Sequence, residues 1–209
     1  MKGMIFAAGL GTRFKPWTDT KPKALAVVNG KSLLQRAVEY LRQYGIQEIV
    51  VNVHHFAEQV EEAVSANNGW GARIHISDER DELLDTGGGM LKAKEWLQTG
   101  TFLTLNVDIL TDANLKDFLV EHQRDNALIT LATTDRASSR KLLFNKYDRL
   151  CGWRNNSSCE EKLVLEAKEY FEKAYSGIAI FEPQVFNLTK LTGKFSLIDL
   201  YLELAHDNK

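Results

Sequence analysis

The sequence predicts an α/β fold: a mostly parallel sheet with helices on both faces, followed by a mixed α+β final third. Three observations carry this reading. Short apolar runs alternate with longer amphipathic segments in the order β-α-β-α-β-α-β, which right-handed crossovers join into a parallel sheet. A Gly/Pro/Thr-rich stretch follows the first apolar run, at the edge where open α/β sheets take ligands. From Leu142 onward, short strands follow one another closely instead of alternating with helices. The 209 residues suffice for one sizeable core and are short for two. With no long linker, repeat or low-complexity run, a single domain over residues 1–209 is the expectation.

Met4 to Ala8 is a continuous apolar run ended by Gly9, suited to a strand buried on both faces. Ser32 reads as an N-cap for a helix whose Leu33, Leu34, Ala37, Val38 and Leu41 share a face, with Gly45 as its stop. Glu48–Val53 is a second strand, Phe56 to about Ala66 a helix, and Ala72–Ile76 a third strand. A polar loop from Ser77 to Thr86 leads to three glycines and then a helix through Met90, Ala93 and Leu97. Thr101–Leu105 is a fourth strand, Asn114 to about Asp125 a helix, and Leu128–Ala132 a further strand. Leu142–Asn145 and Leu150–Trp153 form a hairpin around Tyr147-Asp148; Tyr175–Phe181 is a strand and Phe195 to about Ala205 the last helix.

Apolar residues at 44 % and charged residues at 26 % place the chain among folded globular domains. A formal net charge of −2 gives no electrostatic case for duplex nucleic acid, so any anion binding must be local. Cys151 and Cys159, eight positions apart with no nearby His, lack a zinc spacing and read as two reduced thiols. No stretch reaches membrane-spanning length, and Met4–Ala8 is too short for a signal core, so no membrane partner is expected and the cytoplasm is the expected compartment. A homo-oligomer is compatible with everything above.

The loop Ala7-Ala8-Gly9-Leu10-Gly11-Thr12-Arg13, continued to Lys23, concentrates the chemistry. Gly9 and Gly11 allow a tight turn that brings N–H groups close to an anion. Arg13 offers a planar fork for phosphate oxygens and Lys23 a mobile point charge, while Pro16 and Pro22 stiffen the segment. A dinucleotide fingerprint would need a third glycine where Phe14 stands and an acid near Val53-His54, and a triphosphatase loop would need Gly-Lys-Ser/Thr; neither is present. Asp108, directly after an apolar strand, would be costly at a sheet edge unless paired or bound to metal. Three glycines at 87–89 weaken a helix start and make sense where backbone touches a flat ligand or an anion.

The run G-L-G-T-R-x-x-P-x-T-x-x-x-P-K-x-L, intact from Gly9 to Leu25, resembles the signature of the sugar-phosphate nucleotidyltransferases. The likeness extends along the chain and is greatest to the branch of N-acetylmuramate 1-phosphate uridylyltransferase and mannose-1-phosphate guanylyltransferase-like enzymes. It implies a Rossmann-like sheet of the nucleotide-diphospho-sugar transferase type and NMP transfer from an NTP to a sugar 1-phosphate, with release of pyrophosphate and Mg²⁺ as cofactor. Carried over, Arg13 contacts the β/γ-phosphates, Lys23 the α-phosphate, and Asp108 the metal. The nucleotide falls to Ala7, Ala8, Gly9, Gly11, Thr12, Asp85, Gly87 and Gly88, and the acceptor to Asn106, Lys173 and Gly177. Members carry a second metal Asp in an Asp-Val-Gly context after the helix matching Phe195–Ala205. The sequence stops at Lys209 ahead of it, so the expectation is a domain lacking that C-terminal segment. Two other readings follow: a nucleotide-binding module with weak or no turnover, or a cytidylyltransferase acting on phosphocholine, which an aromatic cage from Trp17, Trp70 and Trp153 would support.

Overall fold

The computed structural model describes residues 1–207. Strand β1 (Lys2–Phe6) runs into three short 3₁₀ turns, after which β2 (Val27–Val28) and β3 (Lys31–Ser32) form a small antiparallel ribbon. Helix α1 (Leu33–Gln43), β4 (Glu48–Val53), α2 (Ala57–Ala66) and β5 (Arg73–Asp78) follow, then α3 (Asp85–Lys92), α4 (Lys94–Leu97) and β6 (Phe102–Asn106). The rest comprises α5 (Leu115–Arg124), β7 (Ile129–Thr134), β8 (Arg140–Phe144), β9 (Leu150–Asn155), β10 (Glu160–Leu163), β11 (Phe171–Phe181), α6 (Val185–Leu188) and α7 (Leu197–His206).

The strands make one sheet in the order β10-β9-β8-β11-β6-β1-β4-β5, with β7 also paired to β11. Strands β6, β1, β4 and β5 are mutually parallel, whereas β11 joins antiparallel to β6 and carries the β8–β9–β10 meander. The expected fold class is therefore present: a parallel nucleus with helices on both faces and a mixed remainder.

Period two along the strands divides the apolar side chains between two cores. Ile5, Val51, Leu103 and Leu105 face one layer with Leu34, Val38 and Leu41 of α1, Val60 of α2 and Leu115 of the α5 start. Met4, Phe6, Val50 and Phe102 face the other with Met90, Leu97, Phe186 and Leu200. Phe102 stacks on Phe181 and Phe186 at centroid distances of 5.1 and 5.4 Å. Each such fully buried side chain stabilises the fold by about 1.5–3 kcal/mol.

The cap expected at Ser32 forms, its Oγ accepting the Gln35 N–H at 3.1 Å. Several boundaries differ from the sequence expectation. β1 ends at Phe6 because the next amides leave the ladder for a side chain described below. The glycines at 87–89 lie inside α3 instead of before it. β11 starts four residues earlier than expected, where Phe171–Lys173 pair with β8. Strand β10 (Glu-Glu-Lys-Leu) carries no apolar alternation and is entirely exposed, so pairing with β9 makes it a strand, not pattern.

Candidate active site at the carboxyl rim of the parallel strands

Residues Phe6, Asn52 and Asn106 stand in register on β1, β4 and β6, and the segments leaving these three strands build the site. Asn52, only 2 % exposed, accepts the Ala7 N–H on Oδ1 at 2.8 Å and lies 3.4 Å from the Ala8 nitrogen. That side chain takes over where the ladder stops and turns the chain out of the sheet. Ala7 and Ala8 are buried, whereas Gly9 and Leu10 are exposed. Among the described residues no acceptor takes the amide hydrogens of Gly9, Leu10 or Gly11, so this turn offers free donors at the rim.

Gly11 has φ +62°, and a Cβ there would sit 2.8 Å from Thr18 Cγ2 and 3.1 Å from Lys23 Cβ. The glycine thus permits both the left-handed turn and the approach of the lysine stem. Phe14 N–H and Thr18 Oγ1 both donate to the Gly11 carbonyl, at 2.7 and 3.0 Å, which fixes the loop's shape. Thr12 and Arg13 occupy an exposed 3₁₀ turn beside it; the Arg13 guanidinium has no ion pair among the described residues. Phe14, from the same turn, lies under Lys23, whose Nζ is 5.7 Å from the ring centroid.

Lys23 Nζ pairs with Asp108 Oδ2. The two side chains come from positions 85 apart in sequence and are 18 % and 35 % exposed. Asp108 follows β6 by a turn in which Val107 N–H donates to the Phe6 carbonyl and Ile109 N–H to the Asn106 carbonyl. Helix α5 is capped by Asn114, whose Oδ1 accepts the Lys116 N–H at 3.0 Å, so Asp108 is not engaged as a helix cap. Among the described residues no three His, Cys, Asp or Glu side chains cluster to hold a metal. The donor set still fits Mg²⁺, which takes one or two carboxylates and completes its shell with phosphate oxygens and water.

The acceptor candidates divide. Asn106 and Gly177 meet: a Cβ at Gly177, which has φ +77°, would stand 2.9 Å from Asn106 Nδ2. Lys173 lies further along β11, its Nζ on Asp135 Oδ1 at 2.7 Å. Asp85 is exposed at the α3 start, with φ +60° and its Oδ1 accepting the Thr86 N–H. Gly87 and Gly88 are buried, and their N–H groups donate to the Phe195 carbonyl at 2.9 and 3.2 Å. A Cβ at Gly87 would reach within 2.3 Å of the Phe195 ring, and one at Gly88 within 2.2 Å of the Gly193 carbonyl oxygen. The glycine run therefore has a packing reason, the close passage of the segment entering α7, which the sequence pattern did not display. Asp199 serves that helix, closing a capping box with Ser196 and pairing with Lys162 at 3.3 Å.

Sequence reasoning missed Asn52 and Glu79. Glu79, fully buried, accepts from Asn52 Nδ2 at 2.7 Å and from the Leu84 N–H at 3.1 Å. Its position in a polar run, Ser77 to Thr86, gave no sign of burial.

Residues 2–191 match the model of the nucleotidyl transferase family. The chain is 33 % identical to N-acetylmuramate alpha-1-phosphate uridylyltransferase of Caulobacter vibrioides, over 99 % of this chain and 85 % of that protein. It is 30 % identical to UTP–glucose-1-phosphate uridylyltransferase of Synechocystis sp., over 90 % of this chain and half of that protein. Among solved structures, HddC from Yersinia pseudotuberculosis, crystallised with GMP-PN, superposes with a TM-score of 0.74 at 22 % identity, covering 94 % of this chain and 83 % of the other, which shows a shared fold. With a loop of free amides, a paired lysine and aspartate at one rim, and these relatives over nearly its whole length, the chain belongs to the nucleotidyl transferase family.

Proposed function

We propose that this chain, as a single domain, transfers an NMP from an NTP to a sugar 1-phosphate and releases pyrophosphate, acting as a uridylyl- or guanylyltransferase in the cytoplasm. The observation that carries the proposal is the contact of Lys23 with Asp108 beside the Gly9–Gly11 turn, which brings opposite charges and free amides together at one rim. The names of the curated relatives support the substrate class.

An acceptor phosphate oxygen attacks the α-phosphorus in line; the new P–O bond forms as the bond to the β-phosphate bridging oxygen breaks, and pyrophosphate departs. Positioning and charge neutralisation do most of this work. The amides of Gly9, Leu10 and Gly11, with Thr12, hold phosphate oxygens. Arg13 grips the β/γ-phosphates and so retains the leaving group until transfer is complete. Lys23 lies against the α-phosphate and stabilises the charge that builds there. Asp108 would hold Mg²⁺, which supplies further neutralisation of phosphate charge when bound. Nucleotide arrival draws Lys23 from Asp108 to the α-phosphate, which would leave the carboxylate free to hold the metal ion. Asp85, with Gly87 and Gly88 behind it, borders the nucleoside, and Asn106, Gly177 and Lys173 border the acceptor.

The aromatic cage that the phosphocholine reading calls for is not formed: Trp17, Trp70 and Trp153 sit on separate elements, and no ring contact among the described residues joins any two of them.

The test is pyrophosphate release with Mg²⁺ across four NTPs and several sugar 1-phosphates, followed by Lys23→Ala and Asp108→Asn. Each variant is expected to lose about 10²–10³-fold in kcat, as when a charge-stabilising contact to a transition state is removed. Turnover near wild type in both, or tight NTP binding by wild type with no pyrophosphate released, overturns the assignment.

A further inference from the structure

Glu79 is the one fully buried acid of the described chain, and its hydrogen bonds lead toward two different rim loops. On one side its Oε1 accepts from Asn52 Nδ2 at 2.7 Å, and Asn52 Oδ1 in turn accepts the Ala7 N–H at 2.8 Å, at the entry to the phosphate turn. On the other side its Oε2 accepts the Leu84 N–H at 3.1 Å, immediately before Asp85 and the glycines of α3. The backbone is held as well: Glu79 N–H donates to the Val53 carbonyl at 2.7 Å, and the Glu79 carbonyl lies 2.6 Å from His54 Nδ1. The fit is close enough that a Cβ at Gly89 would stand 2.5 Å from Glu79 Oε1 and 2.9 Å from Asn52 Nδ2.

Burying a carboxylate is costly, and here every contact made by its oxygens comes from a donor belonging to a loop or strand end at the rim. A structural core would satisfy the same backbone groups more cheaply with carbonyls. The chain Ala7 N–H → Asn52 → Glu79 ← Leu84 N–H spans from the first loop to the third and fixes their separation.

We propose that Glu79, acting through Asn52, is a positioning residue that sets the distance between the triphosphate turn and the nucleoside loop, so that one NTP can be held by both. This rests on the reading of the rim as an NTP site. Neither side chain need touch the nucleotide. Because the network is directional, its members can be exchanged. Glu79→Gln presents an amide whose NH₂ must face one of two donors, and Asn52→Asp sets two carboxylates against each other. The double substitution Asn52→Asp/Glu79→Gln restores all three hydrogen bonds with the polarity of the central one reversed.

The experiment measures UTP and GTP affinity by calorimetry, with KM, kcat and melting temperature, for wild type, both single variants and the double. Each single variant is expected to bind NTP about ten-fold more weakly, the scale of one buried hydrogen bond lost, with KM for NTP rising accordingly and kcat changing less. The double variant should return to within about three-fold of wild type on the same grounds. Folded single variants that bind NTP as tightly as wild type overturn the inference, as does a double variant no better than its parents. A lowered melting temperature with unchanged affinity and KM would mark a merely structural contact and overturn it too. If wild type itself binds no NTP, the proposed function falls together with the inference; if wild type binds and the variants bind equally, the inference falls alone.

Discussion

Glu79 illustrates how much one side chain can reveal through its titration. Burial pushes its carboxyl above the usual 4.5, against the opposing pull of the Asn52 and Leu84 donors and of the charges on Lys92 and His54. An acid with a raised folded-state pKa binds more protons folded than unfolded between 4.5 and that higher value, so its contribution to stability declines as pH rises through this window and stays constant above it. Glu79→Gln removes that dependence. The melting temperature of the variant minus that of wild type should therefore climb as pH increases from 4.5 and level off above the window. A difference that stays flat across the series would mean that ionised Glu79 is not penalised. The residue was illegible in the sequence because an acid in a polar run carries no mark of burial; its partner Asn52 looked like one more position in a strand. As candidates, Arg13, Lys23 and Asp108 stood out for the opposite reason: spacing between glycines, prolines and cations, and an acid at the end of an apolar run, are local patterns.

Helix α3 sets two effects against each other. Replacing a mid-helix glycine with alanine ordinarily gains about 1 kcal/mol. At Gly88, however, the added Cβ would stand 2.2 Å from the Gly193 carbonyl oxygen, a backbone atom with little room to retreat. A clash that close against backbone belongs in the upper part of the usual overpacking range, at about 2–3 kcal/mol, which exceeds the propensity gain, so Gly88→Ala should be net destabilising by about 1–2 kcal/mol. The melting temperature should drop by roughly 2–8 °C for a domain of this size. A stabilised variant would show that the segment before α7 yields easily. Element assignment from sequence succeeded where periodicity and caps coincided, as at Ser32 and α1 or Asn114 and α5. It failed for β10, an exposed Glu-Glu-Lys-Leu run, and for the first residues of β11, because both are strands by virtue of neighbours far away in the chain.

On the scale of the molecule, the parallel nucleus was readable from the alternation of apolar runs and helices, but the insertion of β11 between β6 and β8 was not. Antiparallel entry of a late strand beside an early parallel one is a long-range choice with no local signature. The same nucleus makes ligand binding visible as stability. A ligand that binds only the folded state at a hundred times its Kd adds about 2.7 kcal/mol, which corresponds to roughly 5–11 °C for a chain of this size. Among four NTPs tested with Mg²⁺, the cognate one should give an upward shift of that order, and a panel with no shift would count against a preformed site.

Strand β1 has neighbours on both sides: Met4 stands opposite Val50 on one flank and Thr104 on the other. During synthesis on the ribosome, the first flank can be covered after about fifty residues have emerged, but the second stays an open edge until β6 arrives some fifty residues later. Because parallel pairings across such separations form slowly, the half-made sheet spends that interval with a row of unpaired amides and an apolar face available to any passing chain. The strand that launches the Gly9–Gly11 turn is thus also an adhesive edge of the nascent polypeptide, and a pause in translation before residue 102 would prolong its exposure.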